Sequence, residues 1–77
     1  MRQMPPQMLS AEDWLAELFA ARAARDGAVV RRSARNVEKF VGRERFLEEM
    51  RRRGFPVVEN AGQMLVFCNQ EPIRRLA

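Results

Sequence analysis

From Trp14 onward the apolar positions repeat at helical spacing. Trp14, Leu15, Leu18 and Phe19 follow i, i+1, i+4, i+5 and make one stripe, which Ala21 extends. Ser10 and Asp13 have the spacing of a capping box, with Asp in place of the usual Glu, and Leu9 and Trp14 stand where a hydrophobic staple forms. Glu12, Asp13 and Glu17 near the start, and Arg22 and Arg25 near the end, complement the helix dipole. The pattern predicts one amphipathic helix running from Ser10 to a stop at Asp26-Gly27. Arg22 falls beside the stripe, with its stem expected along the edge and its charge in water.

Further along, the period changes. Ala28-Val29-Val30-Arg31-Arg32, bounded by a Gly and a Ser, reads as a short strand. Ser33 or Asn36 can cap a second helix, in which Val37, Phe40 and Val41 form an apolar turn and a half. Phe46, Leu47 and Met50 form another apolar set. Phe40 and Phe46 differ by about 240° net around a helix of 3.6 residues per turn, so one straight helix cannot bury both sets. Two helices or a sharp bend at Gly42 follow, with Gly54 ending the second piece. Phe55 to Asn69 predicts a β-hairpin turning at Asn60-Ala61-Gly62. That turn pairs Val58 with Met64 and Val57 with Leu65. One face then carries Phe55, Val57, Leu65 and Phe67, and the other Val58, Met64, Val66 and Cys68. Both faces are apolar, so the second must be covered by the first helix, a tail or another copy of the chain.

Composition narrows the chemistry. The 77 residues include no His, Thr or Tyr, a single Cys, and Ser only at positions 10 and 33. A lone Cys68 can form no internal disulfide and no structural zinc site, and is expected to be a buried small hydrophobe. Without His there is no Ser-His or Cys-His nucleophile, and an enzyme, a cofactor and a metal are not expected. The opening residues lack the apolar run of a signal peptide, and no stretch approaches the roughly 18 apolar residues of a membrane span. A cytoplasmic protein without membrane contact is the expectation.

The net charge of +4 is uneven. Thirteen of the 14 basic residues are Arg, and residues 28–54 alone carry a net +5. Arg31, Arg32 and Arg35 form one cluster and Arg51, Arg52 and Arg53 another. With Arg43, these seven are the candidate nucleic-acid contacts, since guanidinium binds phosphate bidentately and each contact releases counterions. Glu48–Arg52 and Glu49–Arg53 stand at favourable i, i+4 spacing and would make an ordinary solvated helix face. The alternative site is the second hairpin face, where Val58, Met64 and Val66 would bind a protein partner or a second copy in a homodimer.

The order helix, strand, helix, helix, hairpin resembles that of a winged-helix domain over Asn36–Phe67. Val37–Gly42 would stand before the turn and Arg43–Arg53 would be the recognition helix, although the turn is shorter than the usual pattern. Phe46–Asn69 is similar to the HicA-type mRNA interferase toxins. That family places its ribonuclease His after the turn glycine, where this chain has Gln63-Met64, so the resemblance implies the fold without that activity. The segments Arg25–Arg32 and Glu59–Gln63 resemble a set of short bacterial proteins sometimes labelled phosphoribosylanthranilate isomerase. A barrel of that kind needs roughly 200 residues, so this resemblance implies a family and no activity.

The expectation is therefore a small α+β domain over residues 9–69, winged-helix-like, between an N-terminal tail (1–8) and a C-terminal tail (70–77). Its expected work is non-enzymatic binding of a nucleic acid through the arginines, or of a protein through the hairpin.

Overall fold

Ser10 opens the first helix: its hydroxyl accepts the Asp13 N–H at 3.1 Å. The computed structural model describes residues 10–77, so Leu9 and the N-terminal tail of residues 1–8 lie outside the described residues. Helix α1 spans Ala11–Ala20 and buries Leu15 and Leu18. The single long helix expected here is broken. Ala21 leaves the helical region at ψ 144°, and a separate short turn, α2, spans Arg22–Arg25. The cause is Arg22. In a straight helix it would stand about 80° from Trp14, between Leu18 and Phe19 and so within the apolar stripe and not beside it as expected, and a guanidinium would face the core. The break turns it out, where its side chain is 95% exposed and pairs with Asp26, and sets Ala23 and Ala24 against the core.

Strand β1 spans Val29–Ser33, and Ser33 caps α3 (Ala34–Phe40) by accepting the Asn36 N–H at 3.0 Å. The chain bends at Gly42, where φ is +97°, and α4 follows over Arg43–Arg53. Strands β2 (Val57–Asn60) and β3 (Gln63–Phe67) complete an antiparallel sheet of order β1-β3-β2. The fold is a small α+β arrangement of helices on one face of a three-stranded sheet.

The hairpin register differs by one residue from the expected one. Val57 pairs with Val66, Val58 with Leu65, and Asn60 with Gln63. Asn60 belongs to the ladder, and the turn is only Ala61-Gly62, both left-handed at φ +50° and +76°. A one-residue slip exchanges the faces of a strand. Val57 therefore joins Val66 on the helix side, and Val58 joins Leu65 on the open side.

The core lies between sheet and helices. Phe46, Val37, Val66, Leu18, Met50 and Met64 are each at most 1% exposed. Trp14 stacks on Phe40 at 6.4 Å and meets Phe46 edge-on at 6.2 Å, tying α1 to both later helices. The far face of the sheet carries Val29, Val58, Leu65 and Phe67, of which Val29 and Val58 are exposed.

Candidate nucleic-acid interface

The candidate arginines separate into those held by carboxylates and those left free. Arg43, at the start of α4, donates to both oxygens of Glu59 on β2 at 3.1 and 3.0 Å, and to Glu38 at 3.3 Å. These bonds raise the Arg43 pKa above its ordinary value and lower that of Glu59. Glu49 accepts from Arg52 at 2.7 Å and from Arg53 at 2.8 Å, and its pKa falls with them. Arg53 also lies over the Phe19 ring at 3.6 Å. Arg45 pairs with Glu12 on α1. Of the two expected i, i+4 pairs only Glu49–Arg53 forms. Arg52 turns to Glu49 instead, and Glu48 makes no ion pair among the described residues.

Arg31, Arg32, Arg35 and Arg51 make no ion pair among the described residues. The first three lie where β1 passes into α3, with Arg31 beside Leu65 on the open face of the sheet and Arg32 beside Met64 on the helix side. Arg31 and Arg35 are exposed, and half-buried Arg32 donates to the Arg31 carbonyl at 2.8 Å. The hairpin turn closes on this corner, since the Ala34 N–H donates to the Gly62 carbonyl at 2.8 Å. The expected second cluster does not stay together. Arg51 faces the β2 edge, where it lines a cavity with Phe55 and Val57, while Arg52 and Arg53 turn toward Glu49. As β1 and β2 are opposite edges of the sheet, Arg51 is not part of the corner.

The expected protein interface is also divided. Met64 and Val66 are 1% and 0% exposed beneath the helices and are core residues; Val58 lies on the opposite face at 37% exposure. The cover that the second apolar face required is supplied, over Met64 and Val66, by the chain's own helices.

Along the outside of α4, a shallow cavity is lined by Glu44, Arg45, Glu48, Glu49 and Arg52. Glu44 and Glu48 project there without a cation partner among the described residues. A narrower groove between α4 and β2 escaped the sequence reading; only the correct register places Val57 on its wall. Among the described residues no cluster of metal-ligating side chains occurs, and no helix is long and apolar enough to cross a membrane. No protein-family model, curated protein or solved structure matches the chain.

Proposed function

We propose that this protein is a non-enzymatic, cytoplasmic nucleic-acid-binding domain that grips phosphates through Arg31, Arg32 and Arg35. The observation that carries the reading is the set of three guanidinium groups within five residues, without an ion pair among the described residues, at the corner where β1, α3 and the hairpin turn meet. Elsewhere on the basic central segment every arginine but Arg51, which stands apart at the β2 edge, is bonded to Glu38, Glu49, Glu59 or Glu12. A free guanidinium has its donors available for a phosphate, and a bonded one must first give up a carboxylate.

The element order and the strand order β1-β3-β2 resemble a winged helix, which supports the same class of function. The mode differs from that of a groove-reading helix. The outward positions of α4 include Glu44 and Glu48, whose charges oppose phosphate, and base readout normally uses Arg, Asn, Gln or Ser. Contact through the β1–α3 corner is backbone contact without sequence readout.

Fluorescence anisotropy of labelled duplex DNA and single-stranded RNA tests this. Three phosphate contacts on duplex DNA should lose roughly 40-fold in affinity between about 50 and 200 mM salt. Changing Arg31 and Arg35 together to Glu should abolish binding at the lower salt. Absence of binding by the unaltered protein at that salt, or unchanged binding by the double variant, defeats the reading.

A further inference from the structure

The groove between α4 and β2 combines three features. Its floor is apolar: Leu47, Met50, Phe55, Pro56 and Val57 line a cavity of about 310 Å³. Its cation, Arg51, is exposed on the rim and makes no ion pair among the described residues. Its wall is an open sheet edge. Because the turn is only Ala61-Gly62, Asn60 and Gln63 face each other beside it. The Phe67 N–H donates to the Pro56 carbonyl at 2.9 Å, so positions 56, 58 and 60 point their main-chain groups toward β3. In an antiparallel ladder the alternate residues, Val57 and Glu59, then point their N–H and C=O groups outward.

We propose that this groove docks an extended, acidic and apolar segment of a partner protein as a fourth strand beside β2. Strand addition takes its affinity from main-chain hydrogen bonds and its selectivity from pockets for alternate side chains. Here one apolar side chain fills the cavity and one carboxylate meets Arg51. Leu47 and Arg51 are four residues apart on one flank of α4, a rise of about 6 Å. Two residues of extended chain span about 6.6 Å on one face. The segment therefore carries an apolar residue and an Asp or Glu two positions apart. The occupant is acidic because Arg51 makes no ion pair among the described residues. A second copy does not meet that need: its β2 carboxylate, Glu59, is already held by Arg43. The other edge, β1, carries the unpaired Arg31 and Arg32, which blunt it. The groove lies at the edge away from the β1–α3 corner, so this proposal and the nucleic-acid reading stand or fall separately.

Random heptapeptides displayed on phage and selected on the immobilised full chain provide the probe. Enriched peptides are expected to share an apolar residue and an acid two positions on. As free peptides they should shift the amide resonances of Leu47, Phe55, Val57 and Glu59. Arg51→Glu, at an exposed position without an ion-pair partner among the described residues, should keep the far-ultraviolet circular dichroism and weaken binding tenfold or more. Replacing the peptide's acid by lysine should restore binding to that variant. The proposal is overturned if no peptide is enriched, if enriched peptides lack the acid or shift resonances elsewhere, or if Arg51→Glu binds as before. A dimer in sedimentation that excludes the peptides overturns it too, in favour of a second copy.

Discussion

Arg43 grips both carboxylate oxygens of Glu59, at 3.1 and 3.0 Å, and so joins the start of α4 to strand β2 across 16 residues of sequence. The fork-to-fork geometry also fixes which way β2 faces, because Glu59 must lie on the helix side. The pair is exposed, so its effect on stability is small and falls with salt. It has a defined pH dependence. The Glu59 pKa lies below its ordinary value of 4.5 in the folded chain, chiefly through its hydrogen bonds with Arg43. The stabilisation is complete above the unfolded value and is lost as pH falls through the lower folded value. Melting curves of the unaltered protein and Glu59→Gln should differ at pH 7 and converge in strong acid. A difference that survives acidification would place the effect elsewhere.

The two sides of the hairpin make opposite predictions for the same kind of change. Met64→Glu places a carboxylate in a site 1% exposed, at a cost comparable with the whole stability of a chain this size, about 4–12 kcal/mol. It should not fold, as circular dichroism will show. Val58→Glu lies on the open face and should fold with little change in melting temperature. Had the expected register been the real one, both would behave alike, since it set Val58 and Met64 opposite each other on one face.

Local signals were legible in the sequence and distant ones were not. Ser10 caps the first helix as expected, Ser33 is the one of the two candidate caps, Ser33 and Asn36, that is used, and Gly42 and Gly54 break the chain where expected, because each acts within a turn of its own position. The break at Ala21 carries no Gly or Pro. It follows from the conflict between a continuous stripe and the charge of Arg22, which appears only once the stripe has a core to face. The hairpin slip has a similar origin. Asn60 is a good turn residue, yet it pairs with Gln63 and leaves the left-handed conformation to Ala61. The free corner at Arg31–Arg35 was within reach as a charge cluster. The sorting of free from bonded arginines was not, since Arg43–Glu59 and Arg45–Glu12 depend on tertiary placement.

Ala61 at φ +50° is a strained choice. A left-handed conformation costs an ordinary L-residue roughly 1–2 kcal/mol, and Asn tolerates it better. Ala61→Asn creates the Asn-Gly pair that two-residue hairpins favour. The side chain points to solvent, since Ala61 is exposed. A gain of about 1 kcal/mol in urea unfolding is expected. No gain would mean that Ala61 does not hold this conformation in solution.

Cys68 is 5% exposed, at the end of the core strand, and its amide N–H donates to the Ala28 carbonyl at 3.0 Å. Burial pushes its thiol above the ordinary value of 9.0, while the charges of Arg32 and Arg53 pull weakly the other way. Thiolate is the reactive form, so the folded chain should react slowly with an aromatic disulfide reagent at pH 8 and rapidly once unfolded in urea. The sign for stability is opposite to that of Glu59. A thiol held protonated by folding stabilises the folded state below the unfolded pKa, and this contribution is lost as pH rises through the folded one. Cys68→Ala should therefore flatten the decline in melting temperature on the alkaline side and leave the acid side unchanged. Rapid labelling of the folded protein at pH 8 would show that the end of β3 opens readily and that Cys68 is not the closed edge of the core.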